Sequence, residues 1–181
     1  MQLQPPNPPL QDELIELRVW SLDDVPAVTA ACQDPEVSRW TTVPSPYTEA
    51  DARAWLEQAS GTWNDRTAPF AIVERRSHEL AGAITLWVHG TAIGELGYWA
   101  TASFRGRGYV PRAVRLLCRW GFDELGLGRV QLGTLPENMS SERVAQKCGF
   151  QREGVLRAWL EQRGARRDVT MWSLLPDELP R

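Results

Sequence analysis

The chain predicts an α+β fold built on one mixed sheet, and three observations support this. Strand-patterned segments come as a run of three in the middle, with helix-patterned segments on either side. The order reads β-α-α-β-β-β-α-β-α-β-β, so strands and helices alternate only in the second half, which suits a mixed sheet. A turn rich in glycine and arginine, Phe104 to Val110, joins the last strand of the central run to a helix. The length of 181 residues fits a single domain, and no repeat or internal linker divides it.

Residues 1–12 carry Pro5, Pro6, Pro8 and Pro9 and are expected to form a loose tail without regular structure. The domain is then expected over 13–176, with a short tail at 177–181. Leu14 to Trp20 alternates apolar and polar residues and predicts a strand. Ser21 and the acids Asp23 and Asp24 open a helix whose apolar face holds Val25, Val28 and Cys32. Pro44-Ser45-Pro46 breaks the chain. Thr48 caps a second helix, Glu49 to Ala59, with Ala52, Trp55, Leu56 and Ala59 on one side.

The central strands are Phe70 to Arg75, Leu80 to Val88 and Ile93 to Ala100, separated by turns at 76–79 and 89–92. A helix follows from about Pro111 to Leu125, with Val114, Leu117, Cys118 and Phe122 inward and a stop at Gly126 or Gly128. Arg129 to Leu135 is a strand, and Asn138 to Lys147 is a helix ended by Gly149. Phe150 to Leu156 and Arg167 to Leu175 complete the set.

Composition narrows the function. Hydrophobic residues make up 43% and charged residues 24%, values of a globular chain. No apolar run is long enough for a membrane span, and no basic-then-apolar leader opens the chain. Cys32, Cys118 and Cys148 are scattered, without the spacing of a disulfide framework or a zinc site. Histidine occurs only at 78 and 89, which leaves little for a metal site or a catalytic triad. A cytoplasmic protein without metal is expected. The net charge of −3 divides unevenly, about −8 over residues 1–100 and +5 over 101–181. A basic C-terminal half suits a polyanionic ligand and an acidic N-terminal half suits a cationic one. A pI near 5.5 and the lack of a basic-aromatic groove motif argue against nucleic acid.

The turn after the third central strand carries the chemistry. Gly106 and Gly108 allow the backbone to bend tightly and approach an anion. The helix start beyond them offers unpaired amides and partial positive charge. Together they make a candidate phosphate cradle. Arg112, Arg115 and Arg119 share one side of that helix and could reach further phosphates; a solvated basic stripe is the plain alternative for the last two.

Four segments, in this order and spacing, resemble the GNAT superfamily of acyl-CoA-dependent N-acyltransferases. They are Gly94-Glu95-Leu96-Gly97-Tyr98-Trp99, Arg105-Gly106-Arg107-Gly108-Tyr109, Leu135-Pro136-Glu137-Asn138-Met139-Ser140-Ser141, and Lys147-Cys148-Gly149-Phe150-Gln151-Arg152-Glu153-Gly154. The likeness is greater to the RimJ/RimL type, which acetylates protein N-terminal amines. It spans about Leu14 to Leu175 and implies a sheet splayed between the fourth and fifth strands. It also implies acetyl-CoA as co-substrate and an amine as acceptor, with dimers frequent.

The resemblance places the CoA diphosphate on the amides of the loop Arg105, Gly106, Arg107, Gly108, Tyr109 and Val110. Val110 stands where the family has a small residue, and Pro111 offers no N–H, so the cradle is expected to have one donor fewer. It places a backbone donor for the oxyanion near Tyr98 or Trp99. Asn138 would bond the pantetheine arm and Ser141 would contact the departing thiolate, with helix capping as the rival role for both. The tyrosine that many relatives use as acid is replaced by Ala145. An alkyl amine is mostly protonated at neutral pH, so a base is needed. Glu95 is the leading candidate, against the alternative of a solvent-facing carboxylate on a half-exposed strand. Cys148 has no neighbouring histidine in sequence and reads as a buried helix-end residue. Trp20, Trp40, Trp55 and Trp63 fall in the half where the family builds its acceptor pocket.

Three outcomes stay open at this point. The acceptor is a protein N-terminal amine or a small amine such as a polyamine or aminoglycoside. A domain that binds CoA without catalysis is the second reading. Transfer of a longer acyl group such as succinyl would need a cation beside the acyl pocket, which the sequence does not place.

Overall fold

Alternation along the central strands sorts apolar side chains onto two faces, and the helices cover both. The computed structural model describes residues 3–61, 63 and 66–180. The strands are β1 (Leu10–Gln11), β2 (Ile15–Arg18), β3 (Thr67–Glu74), β4 (Leu80–His89), β5 (Ile93–Ala100), β6 (Arg129–Thr134), β7 (Gln151–Gln162) and β8 (Ala165–Leu174). They form one sheet in the order β1-β2-β3-β4-β5-β6-β8-β7. Every pair is antiparallel except β5–β6.

The helices are α1 (Val25–Cys32), α2 (Pro35–Trp40), α3 (Glu49–Gly61), α4 (Tyr109–Asp123) and α5 (Met139–Lys147). Even-numbered residues of the central strands, such as Phe70, Ile72, Ile84, Leu86 and Leu96, pack with Val114, Leu117 and Cys118 of α4 and Ala145 of α5. Odd-numbered Ala71, Val73 and Ala83 pack with Val28, Ala52 and Leu56 of α1 and α3. Fully burying side chains the size of Val114 or Leu117 contributes about 2 kcal/mol each.

The expected splay between the fourth and fifth principal strands is present. Pairing of β5 with β6 runs from Ile93↔Arg129 to Leu96↔Leu132 and stops. Beyond that point β5 stays with β4 as far as Ala100↔Gly82, and β6 stays with β8 as far as Thr134↔Thr170. Gly82 permits the close approach on the β4 side, since a Cβ there would lie 2.2 Å from the Trp99 carbonyl oxygen. The sheet thus opens into a V at Gly97 to Ala100.

The capping signals acted as read, with small shifts in position. Ser21 caps a short 3-10 turn, Leu22–Asp24, before α1 begins at Val25. Thr48 and Asp51 cap α3 reciprocally. Gly126, with φ of +66°, rather than Gly128, takes the left-handed position after α4.

Three expectations need correction. The segment expected to lack regular structure pairs Leu10 and Gln11 with β2, and Leu3 is buried in the core at 1% exposure. Its prolines left two apolar anchors that pattern alone does not weigh. A further helix, α2, follows Cys32, capped by Asp34 with Pro35 in its first turn. The last two strands run on to Gln162 and start again at Ala165, so the supposed loop between them is a long hairpin. Bulges there, between Arg152 and Gly154 and between Leu156 and Leu160, interrupt the period-two pattern that signals a strand. No helix among the described residues is long and apolar enough to cross a membrane.

Candidate active site

A cleft of about 900 Å³ passes through the V between β5 and β6. On one side of the sheet it meets the glycine turn and α5, and on the other it reaches α1, α2 and α3.

At the glycine turn, Gly106 and Gly108 have φ of +74° and +82°, which a residue with a Cβ adopts only at a cost. The space beside both is open, with no atom within 4 Å of where a Cβ would stand. Gly108 is the residue before α4, and the first helical bond runs from the Arg112 amide to the Gly108 carbonyl at 3.3 Å. The Tyr109 and Val110 amides precede that bond and are left for an anion, while Pro111 contributes none. Open space, left-handed glycines and unpaired helix-start amides fit a diphosphate.

The side chains of this loop turn elsewhere. Tyr109 is buried edge-on against Phe104, with ring centroids 5.1 Å apart, and Val110 packs on the core. The Arg107 guanidinium lies over the Phe104 ring at 5.5 Å. Arg105 pairs with Asp34 at 2.8 Å and donates to the Ala100 carbonyl at 3.1 Å. Arg112 is held by Asp12 and Glu13 at 2.7 and 2.6 Å, and Arg115 donates to the Lys147 carbonyl at 2.6 Å. Neither forms the phosphate-reaching row that helical spacing suggested. Arg119 is exposed.

Across the V, Asn138 caps α5 by accepting the Ser141 amide at 3.1 Å, the local role that rivalled pantetheine contact. Ser141 Oγ lies 2.8 Å from Tyr98 Oη, and both residues line the cleft. Burial pushes the Tyr98 phenol well up, so it stays protonated and can donate to Ser141. Ser141 then has its own proton to present to a thiolate. Ala145 lies buried one turn on. Cys148 is buried too, its thiol directed at the Pro111 carbonyl at 3.4 Å and pushed up to about 11 by desolvation. A protonated, enclosed thiol does not act as a nucleophile at neutral pH.

The structure does not bring Glu95 to this cleft. Its carboxylate is 3.1 Å from His89 Nε2 and accepts from Gln131 Nε2 at 3.3 Å, with its side chain 41% exposed. The Trp87 indole lies over Gly97, so close that a Cβ on Gly97 would meet the ring at 2.7 Å. Gly97 is the next residue on the same strand face, so the ring stands between Glu95 and the opening. Trp99, one step further, does line the cleft.

The acceptor half is walled by Trp40, Tyr47, Trp55, Trp87 and Trp99. Trp20 backs this wall, edge-on to Trp55 at 5.0 Å. Trp63 lies instead in the other core cluster, against Phe70 and Trp120. Tyr47 and Trp87 escaped the sequence reading. Gly97 facing an aromatic on the neighbouring strand was the available signal for Trp87. Among the described residues two carboxylates reach this half, and both have partners. Glu36 accepts from Trp40 Nε1 at 2.9 Å and lies 3.5 Å from Arg39. Asp51 accepts from the Thr48 hydroxyl and amide, which hold it below the usual carboxylate range. No group of three His, Cys, Asp or Glu residues converges among the described residues.

Known proteins share this architecture. The family model described as an acetyltransferase (GNAT) domain matches residues 15–151. The uncharacterized N-acetyltransferase p20 of Bacillus licheniformis is 29% identical over 173 residues, covering 93% of this chain and 97% of that protein. A solved GNAT-family acetyltransferase from Bacillus anthracis aligns with a TM-score of 0.84 at 24% identity, over 93% of this chain and 99% of that one. RimJ of Mycobacterium smegmatis, solved in complex with CoA-disulfide, aligns with a TM-score of 0.79 at 26% identity, over 92% of this chain and 84% of that one. A non-catalytic reading gives way to these matches. The chain belongs to the GNAT acetyltransferase family, and its chemistry is acetyl-CoA-dependent N-acetyl transfer.

Proposed function

We propose that the acceptor is the α-amine at the N-terminus of a protein. The observation that carries this reading is the aromatic acceptor half, whose two carboxylates, Glu36 and Asp51, already have partners. An α-amine has a pKa near 7.7–8.0, so roughly a third is neutral at pH 7.5. A lysine-like amine near 10.4 is neutral in only about one molecule in a thousand. Among the described residues no unpartnered carboxylate lines the site, which suits the acceptor that needs least help in losing its proton. Its described residues also offer fewer acids, Glu36 and Asp51, than the several that a polyamine or aminoglycoside would engage. An uncharged chain beside a single amine matches the aromatic walls.

The reaction is direct attack in a ternary complex. The amides of residues 106–110 hold the diphosphate and the thioester lies in the V. The neutral amine attacks the carbonyl carbon, and an amide of β5 near Tyr98 or Trp99, freed from β6 by the splay, bonds the oxyanion. The C–S bond breaks and the thiolate leaves toward Ser141, whose hydroxyl Tyr98 orients. The amine's second proton passes to water in the open cleft.

The test is a panel of N-terminal peptides set against free polyamines and aminoglycosides, read by thiol release and product mass. Turnover of peptides with acetylation at the α-amine supports the reading. Turnover confined to the free amines rejects it.

A further inference from the structure

One ion pair joins the two halves of the cleft. Asp34 Oδ2 takes Arg105 Nη1 at 2.8 Å, with the carboxylate side chain 19% exposed and the arginine side chain 36% exposed. The other Asp34 oxygen, Oδ1, accepts the Glu36 amide at 2.9 Å and so caps α2. Arg105 is also the residue from which the chain enters the glycine turn, and its second nitrogen is anchored on the Ala100 carbonyl of β5. A single carboxylate therefore starts a helix of the acceptor wall and grips the loop that would hold the donor.

The helix it caps depends on outside support. α2 has six residues, of which only Val37 is buried. Isolated helices of this length do not hold in water. Its C-terminal end is tied to the β7–β8 hairpin, where Gln162 donates to the Arg39 and Thr41 carbonyls at 3.2 and 2.8 Å and Arg163 donates to Ser38. Among the described residues, the side-chain tie at the N-terminal end is made by Asp34. Glu36, Val37 and Trp40 of α2 face the acceptor half.

We infer that Arg105 and Asp34 are a positioning pair that transmits donor binding to the acceptor wall, so that a bound acetyl-CoA orders α2. The inference rests on the reading that residues 106–110 hold the diphosphate. Fixing those amides fixes the backbone of Arg105. With its guanidinium held by Ala100, the arginine then holds Asp34 and the first turn of α2. Linkage requires the reverse as well: an acceptor that favours the ordered wall tightens donor binding by the same factor.

Hydrogen exchange by mass spectrometry tests this on the full chain, with and without saturating coenzyme A. In the wild type the cofactor is expected to slow exchange over 106–112 and also over 35–41, the latter by about fivefold, the low end of typical site–site coupling. Asp34→Asn keeps a capping oxygen and removes the charge. It is expected to retain the slowing at 106–112 and lose it at 35–41, and Arg105→Gln is expected to lose it there as well. Equal slowing of α2 in both variants overturns the inference. So does an unresponsive α2 in a wild type whose 106–112 segment is slowed. No slowing at 106–112 in the wild type would instead remove the diphosphate reading beneath it, and the inference with it.

Discussion

Tyr98 Oη stands 2.8 Å from Ser141 Oγ, joining the open end of β5 to the first turn of α5 across the gap where β5 and β6 part. On the proposed mechanism these two hydroxyls take the place of the one that Ala145 lacks. Ser141→Ala is expected to lower kcat about tenfold, the loss of roughly 1.4 kcal/mol of transition-state bonding. Tyr98→Phe should lower it less, and the double variant should be little worse than Ser141→Ala alone, because one acts through the other. The KM for acetyl-CoA should change little in each. Multiplicative losses in the double variant would separate the two hydroxyls.

Glu95 faces His89 and Gln131 behind the Trp87 ring. Glu95→Gln is therefore expected to keep kcat/KM within about twofold of wild type, as for a surface change away from the site. A drop of a hundredfold or more, largest near neutral pH, would restore the general-base role that its strand position suggested.

The rate should follow the ionisation of the acceptor. With a peptide α-amine, kcat/KM is expected to rise with pH through about 7.8 and then level, because only the neutral amine attacks. Cys148 stays protonated to about 11 and adds no basic limb. A second inflection between pH 5 and 7 would reveal an enzyme base in the cleft.

Three strands are stitched by Glu153 of β7, which accepts from both Arg129 guanidinium nitrogens of β6 at 2.6 Å and from the Ser173 hydroxyl of β8 at 2.7 Å. Those bonds, the arginine's foremost, lower its carboxyl from 4.5 to about 2. A lowered folded-state pKa stabilises above the unfolded value and is lost as pH falls through the folded one. The contribution should therefore be full above about pH 5 and fade toward pH 2. Glu153→Gln is expected to lower the melting temperature at pH 7 and to approach wild type near pH 2. The carboxylate is partly exposed, so high salt should shrink the difference. A constant gap across that range would contradict the account.

The sequence made the central sheet legible because Phe70 to Trp99 alternate so regularly that each face names its own helices. The glycine turn was legible for a local reason: Gly106 and Gly108 mark positive φ wherever the chain goes next. Partners distant in sequence were not legible. Helical spacing grouped Arg112 with Arg115, yet Asp12 and Glu13 claim the first and the Lys147 carbonyl the second. Strand parity put Glu95 on the face of Trp99 but carried no trace of the Trp87 ring between them. Short α2 escaped because Val37 is its single buried residue, too little for a period, although Asp34-Pro35 announced its start.

Gly108 offers the most direct test of the central claim, a diphosphate held by main-chain amides at the start of α4. Aspartate tolerates the left-handed conformation better than most residues, so Gly108→Asp should fold at a cost of about 1 kcal/mol, checked by thermal melting. It would place a carboxylate beside the diphosphate. Calorimetric titration with acetyl-CoA is expected to show saturable binding to the wild type and at least about a hundredfold weaker binding to the folded variant, which like charges at close range can supply. Equal affinity in the two proteins would contradict the account.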